Sequence, residues 1–226
     1  MSPAWDVDGQ GASPVQSKQV DCVTGQRLLE RALDTPWKVW NQWWRWLAYP
    51  RVRLLFARNG IPWGQGWRFY GAPVIQKHRH SRMAFGSNLQ LRSSVRSNPL
   101  GANHPVILCT WQAGAVLEIG DSFSMTGGAI CAVSSIIVGD NVVVGANTTI
   151  VDADFHPMEA SQRALIDGAV APVVIEDDVF IGMNCLVLKG VVIGRGSVVG
   201  AGSVVTGNIP SGVITAGNPA RVVRAV

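Results

Sequence analysis

The chain has 226 residues, 47% hydrophobic and 15% charged, with a formal net charge of +4. That length can bury a sizeable core. The four cysteines (Cys22, Cys109, Cys131, Cys185) show neither metal-ligand spacing nor a disulfide framework, and no apolar run reaches the ~18 residues of a membrane span. Charge is unevenly placed: residues 1–100 hold 14 Lys and Arg against 5 Asp and Glu, whereas residues 101–226 hold 5 against 10. From Thr35 to Leu117 there is no acidic residue. Such a one-signed segment points to an anionic partner, or to pairing with acidic groups of the rest of the molecule or of a second copy.

Residues 1–22 are rich in Gly, Ser, Gln and Asp and are expected to form a disordered leader; lacking an apolar core, they do not read as a secretory signal. Residues 23–69 read as a helical, Trp/Arg-rich N-terminal region. A short helix is expected over Gln26–Leu33. Thr35-Pro36 then supplies an N-cap and a first-turn proline for a second helix through Trp37, Trp40, Trp44 and Leu47, expected to end or kink at Pro50. Tryptophan with arginine on one amphipathic helix suits a lipid headgroup boundary, so residues 35–100 are a candidate for peripheral contact with an anionic membrane. The same tryptophans equally suit capping the open end of a stack of coils, or packing between copies. Residues 60–75, punctuated by Gly and Pro, lead the chain onward.

Beyond residue 70 the dominant signal is a period of six. Ile175, Ile181, Val187, Ile193, Val199 and Val205 form an unbroken ladder, with glycine following at Gly182, Gly194 and Gly200. Val179, Cys185, Val191, Ser197 and Ser203, small or compact, sit four positions after successive rungs. Six matches neither helix nor strand alternation, and a short fixed repeat indicates stacked coils. A triangular coil with three short strands per turn needs one inward aliphatic per face, seated on its counterpart one coil below, and corners that glycine can turn at positive φ. Upstream, Ile107, Ala113, Ile119, Met125 and Cys131 keep the period; after a one-residue slip Val138, Val144 and Ile150 resume it, and Phe85 and Leu91 are a weaker start. This places Cys131 on a rung and Cys185 at a small inward position, both as packing residues. Loops are expected over 92–104 and from about 155 to 172, and loops leaving a rigid scaffold are where substrate-binding residues gather.

Three stretches add to the ladder: Val144-Gly-Ala-Asn-Thr-Thr-Ile150, Asp152-Ala-Asp-Phe-His-Pro157 and Ala216-Gly-Asn-Pro-Ala-Arg-Val-Val-Arg224. Together, over residues 70–226, they resemble the hexapeptide-repeat acyltransferases, in the branch that O-acetylates sugars and small molecules. The resemblance implies a mainly β fold: a left-handed parallel β-helix domain, preceded here by the short α-helical region. Handedness is taken from the family, because parallel crossovers are ordinarily right-handed. It further implies an acetyl-CoA-dependent O-acyltransferase with a carbohydrate acceptor, acting as a homotrimer. No metal and no nucleic-acid partner is expected, and the expected location is cytoplasmic, peripheral at the inner membrane face if the acceptor is a glycan on a lipid carrier.

Of the histidines His78, His80, His104 and His156, the last alone lies beyond residue 105, six residues after Ile150 where the ladder breaks. By itself a histidine before proline is more often structural. Asp-Phe-His-Pro occupies the place of the family's catalytic histidine, so the resemblance implies His156 as general base toward the attacking hydroxyl. Asp154, two residues earlier, would point the same way on a strand and orient the imidazole or stabilise its protonated form, with Asp152 in reserve; an exposed turn aspartate is the alternative. The family uses an asparagine from an earlier coil near the reacting groups, and the matching stretch Phe123-Ser-Met-Thr-Gly127 has none. Ser124 and Thr126, or Asn103 and His104 on loop position, are the substitutes. The resemblance implies Met183, Ala201 and Thr206 as pantetheine contacts, and Arg221 and Arg224 for the phosphates of coenzyme A. Where the family often has a lysine after that threonine, this chain has Gly207. A β-helical carbonic anhydrase would need three zinc ligands, for which histidine is too scarce beyond residue 105. A non-catalytic scaffold is the remaining alternative.

Overall fold

The computed structural model describes residues 30, 32–165 and 168–226. The chain divides into Met1–Pro36 and Trp37–Val226. The expected leader and most of the expected Gln26–Leu33 helix lie outside the described residues.

Helix α1 spans Pro36–Arg58 and continues through Pro50, where the proline pattern predicts an end or a kink. Proline lacks the N–H that would bond the carbonyl of Trp46. The helix runs on without that one bond, and Trp46 itself is exposed. The helix stops at Gly60, which takes φ 65° while Ile61 and Asn59 donate back to the Phe56 carbonyl.

The two ends of α1 have different fates. Val52 and Phe56 are fully buried, and Phe56 meets Trp63, Trp67, Phe69 and Phe85 at ring separations of 6.0, 5.1, 5.2 and 6.0 Å. Trp67 Nε1 donates to the Gly86 carbonyl at 2.7 Å. This aromatic cluster covers the first coil, so capping is done by the C-terminal turn of α1 and the segment after it. Trp37, Trp40, Trp43, Trp44 and Trp46 take no part and remain about half exposed or more.

Three parallel sheets form the prism, of eight, six and five strands, and the eight-stranded sheet ends on an antiparallel strand, Arg221–Ala225 beside Val213–Ala216. On the first face Leu91, Met125, Val144, Ile181 and Val199 stack in register. Phe85, Ile119, Val138, Ile175 and Ile193 stack on the five-stranded face. The six-stranded face corrects the early ladder: its inward column is Ile75, Leu108, Ile130, Ile150, Val187 and Val205. Ile107, Ala113 and Cys131 are therefore not rungs. Early strands here are four residues long, Ile107–Thr110 and Ala129–Ala132, against two in the last coils, so the inward residue shifts by one.

Cys131 instead stands directly opposite Cys109 in the neighbouring strand. Their shared hydrogen bond, with burial added, pushes the Cys131 thiol up, and the same bond draws Cys109 down. Cys185 is inward as the pattern predicts, and burial pushes its thiol up.

Corners are turned at positive φ by glycine in the last coils, at Gly190, Gly196 and Gly202 with φ 75°, 68° and 71°, and by asparagine and aspartate in several earlier ones. Asn88, Asn141, Asn147, Asn184 and Asp178 take positive φ, at 58°, 58°, 63°, 55° and 60°. Gly182 meets a different requirement, because a Cβ there would lie 2.5 Å from the Ala201 backbone nitrogen one coil away. Glycine at this corner thus serves close approach of backbones, not left-handed conformation. A second device ties one edge together. The Asp121, Asp140 and Asp177 carboxylates accept N–H bonds from Ser87, Asp121 and Asp140, each one coil away, at 2.6, 2.7 and 2.8 Å.

Gly182→Ala is expected to destabilise the protein by about 1–3 kcal/mol through this overlap. Gly207→Ala, with nothing within 4 Å, is expected to stay within about 0.5 kcal/mol of the parent. Urea unfolding midpoints of the two variants check the contrast.

Candidate functional site

The ladder breaks after Thr149–Val151, and the segment bearing His156 leaves the stack there. Its root is pinned. Asp152 is fully buried and accepts the N–H groups of Val133, Ser134 and Ser135, all at 2.7 Å. Ala153 and Val170 form an antiparallel bridge, flanked by Asp154 N–H to the Ala169 carbonyl and Ala171 N–H to the Asp152 carbonyl, both at 3.0 Å. Asp152 thus holds the corner, and its carboxylate serves backbone amides instead of the imidazole.

Phe155 takes φ 53° and packs edge-on against Trp111 at 5.7 Å. That left-handed residue cancels the strand alternation on which the pairing of Asp154 with His156 depends. The Asp154 carboxylate turns to Lys189 Nζ, 2.6 Å away on the next coil, and does not orient the ring. His156 Nδ1 lies 3.1 Å from the Leu165 carbonyl oxygen. A carbonyl can only accept, so this contact places the proton on Nδ1 and leaves the Nε2 lone pair available. His156 is exposed and lines a cleft of about 540 Å³ with Asp154, Pro157, Met158 and Arg163. Leu165, Lys189 and Arg163 escaped the sequence reading, because each reaches the site only through the shape of the loop or the next coil.

A second feature lies on the eight-stranded face. A groove of about 460 Å³ brings together Ser124, Thr126, Met183 and Ala201, four of the residues singled out from sequence. Asn98, from the first excursion, lines it too and donates from Nδ2 to Thr126 Oγ1 at 3.0 Å. An asparagine therefore stands in this groove after all, supplied from a loop instead of from the coil. Asn103, expected as a substrate contact, does not line it: its backbone N–H is held by Asn147 Oδ1 at 2.8 Å, and its side chain is exposed. His104 is likewise exposed, its Nδ1 against the Pro105 carbonyl.

Met183 and Ala201 sit at the corner where the chain leaves the eight-stranded sheet, after Phe180–Ile181 and Val198–Val199. Thr206 follows Val204–Val205 of the six-stranded sheet and shares its corner with Lys189 and the His156 excursion. Within one chain the expected cofactor contacts therefore fall on two edges of the prism. Arg221 pairs opposite Ala216, whose Cβ lies against Gly200, so it stands at the Ala201 edge; Arg224 pairs opposite Ile214, farther along the face. Both are exposed, and among the described residues neither has an acidic partner. Among the described residues, no group of three His, Cys, Asp or Glu is arranged to hold a metal ion.

Two families match this sequence: the bacterial transferase hexapeptide (six repeats) over residues 172–207, and the hexapeptide repeat of succinyl-transferase over residues 127–151. Both fall on the stacked coils. The chain belongs to the hexapeptide-repeat proteins. Among curated relatives, 2,3,4,5-tetrahydropyridine-2,6-dicarboxylate N-acetyltransferase of Staphylococcus aureus (strain JH9) is 38% identical over 86 residues, 38% of this chain and 31% of that protein. The chain thus spans less than a third of the length of the curated relatives it matches. Among solved structures, a variant of AntD, an N-acyltransferase from Bacillus cereus in complex with dTDP and coenzyme A, has a TM-score of 0.55 at 19% identity, covering 73% of this chain and 82% of that one. At that identity the likeness concerns the fold, a left-handed parallel β-helix. The hexapeptide-repeat acetyltransferase VCA0836 from Vibrio cholerae is 34% identical over 54% of this chain and 67% of that one, with a TM-score of 0.49.

A Cβ on Gly168 would lie 2.9 Å from the His156 backbone nitrogen. Gly168→Ala is expected to displace the excursion while costing the whole protein about 1 kcal/mol or less, since the loop is exposed. Hydrogen–deuterium exchange should quicken over residues 154–169 and stay unchanged in the late coils.

Proposed function

We propose that this protein is an acetyl-CoA-dependent O-acyltransferase acting on a carbohydrate hydroxyl, with His156 as general base. The observation that carries the reading is the anchored imidazole: Nδ1 is committed to the Leu165 carbonyl, which leaves Nε2 for the reaction, and His156 lines the cleft where the coil ladder opens. An alcohol is a poor nucleophile at neutral pH. Nε2 takes the hydroxyl proton as the oxygen attacks the thioester carbonyl, and the C–S bond of the resulting tetrahedral species then breaks. The departing thiolate takes the proton back from Nε2, so neither a covalent acyl-enzyme nor a metal is needed for the balance. Hydroxyls of Ser124 and Thr126, or a backbone N–H, are the candidates for the transient oxyanion.

Asp154 acts at one remove, as a positioning residue that ties the excursion to Lys189. Met183 and Ala201 line the groove for the pantetheine arm, with Arg221 at the same edge for phosphate. Thr206 and His156 lie on the other edge of the chain, an arrangement that suits a donor shared between the groove of one copy and Thr206 and His156 of a neighbour. This supports a homotrimer, as the resemblance implies. The carbohydrate acceptor rests on the Asp-Phe-His-Pro and Ala-Gly-Asn-Pro-Ala-Arg motifs. The exposed tryptophans of α1 favour a glycan presented at the cytoplasmic membrane face. An amine acceptor is the second reading, favoured by the N-acetyltransferase relatives.

Thiol release from acetyl-CoA, measured with a panel of sugars and amino sugars, tests the assignment. His156→Ala is expected to lower turnover by about 10²–10⁴-fold with circular dichroism unchanged. Equal rates in parent and variant remove His156 from the mechanism. Turnover with amines alone moves the assignment to the second reading, and no turnover with any acceptor leaves a non-catalytic scaffold.

A further inference from the structure

The acid-free stretch from Thr35 to Leu117 does not spread its cations evenly. Four of them converge between α1 and the first excursion. A cleft of about 570 Å³ is lined by Lys38, Arg92 and Arg96, and an adjoining one of about 240 Å³ by Arg45 and Arg96. No acidic side chain lines either, and among the described residues none of the four cations has an acidic partner. Unpaired cations facing one space repel each other unless an anion joins them.

The cleft is also built. Arg92 is half-buried, its guanidinium stacked over Tyr70 at 4.3 Å and donating from Nη1 to the Ser97 carbonyl. Arg45 lies over the same Tyr70 ring at 5.8 Å. Asn41 Nδ2 of α1 donates to the Arg96 carbonyl at 2.9 Å, tying the helix to the excursion across the space. Stacking and the single Nη1 bond hold Arg92 in place while its remaining N–H groups stay available, the arrangement suited to phosphate oxygens. Arg92 and Asn98 line this cleft and also the groove holding Ser124 and Thr126. The cationic space thus opens onto the groove at Ser124 and Thr126, the residues proposed to lie beside the reacting groups.

We infer that this cleft is a phosphate-recognising subsite, and that the acceptor is a sugar carried on a diphosphate. A diphosphate diester bears two negative charges, which two or three of these cations can neutralise; an uncharged free sugar would leave them unpaired. The subsite stands on the cleft alone, whereas its role in acceptor binding rests on the acyl-transfer reading above. The chemistry is shared by a soluble sugar nucleotide and by a sugar on a polyprenyl diphosphate, and the exposed tryptophans of α1 beside the cleft suit the second source.

Titration calorimetry on the full chain at low salt, with UDP-glucose and with a polyprenyl diphosphate glucose in detergent micelles, tests the inference. Saturable binding of either probe is expected, and the tighter one identifies the source. The exposed pair Lys38→Gln and Arg96→Gln together should weaken it at least tenfold, and Arg92→Gln similarly. Arg79→Gln, an exposed cation outside the cleft, should leave it unchanged. No binding of either probe overturns the inference, as does equal binding by parent and cleft variants, or an equal loss in Arg79→Gln. Because this readout needs no acetyl-CoA, a protein that binds the diphosphate yet releases no thiol keeps the subsite and loses the transferase reading instead.

Discussion

Register between successive coils is the constraint on which the rest of this structure depends. An aliphatic side chain from each face sits on its equivalent in the next coil, and backbone amides bond along the same axis, so every turn is held by its neighbours and by little else. A residue that breaks register at one point would misalign all three faces. This is why a corner such as Gly182 admits no Cβ, and why buried Asp152 spends its carboxylate on three amides of the adjoining coil. The stack is rigid because these contacts are repeated and because no buried side-chain polar atom among the described residues lacks a partner.

The stack offers grooves along its faces and edges, and the side chains that leave it are carried by excursions of the chain. Two excursions do this, and they differ in character. The later one is short-rooted and closed by an antiparallel bridge, which delivers His156 to the surface at a defined height on the prism. The earlier one is tied by Asn98 to Thr126 and by Arg92 to Ser97, and it brings cations over the eight-stranded face. Helix α1 completes that region. Its C-terminal turn is consumed by the aromatic cap, while its N-terminal half keeps a tryptophan surface above a basic cleft.

The charge division along the chain acquires a spatial meaning from this arrangement. Acidic residues of the coils are largely engaged within the stack, as in the Asp121, Asp140 and Asp177 series or the Asp177–Arg195 pair at 2.8 Å. The N-terminal cations are not absorbed by them. Pairing of the early arginines with coil carboxylates, one reading open at the level of sequence, is realised among the described residues only at Arg82 and Glu118, 3.1 Å apart. An exposed pair of that kind contributes about 0–1 kcal/mol. Most of the positive charge is left facing outward.

The period of six, with Ile or Val on every late rung, was sufficient by itself to define coils, faces and the break at His156. A strict repeat leaves one packing that buries all rungs at once. Where strands lengthen, the rule loses force: Leu108 and Ile130 took the inward places that spacing assigned to Ile107 and Cys131, because alternation within a four-residue strand competes with the corner-to-corner count. Local pattern also could not foresee Phe155 at positive φ, which separates Asp154 from His156 and sends the carboxylate to Lys189 in another coil. Asn98 reached the groove in the same way, across a span no motif encodes. Residue identity and period determined what stacks. Which side chains meet across the excursions was decided only by tertiary structure, since those contacts join residues far apart in sequence whose directions depend on how each loop closes.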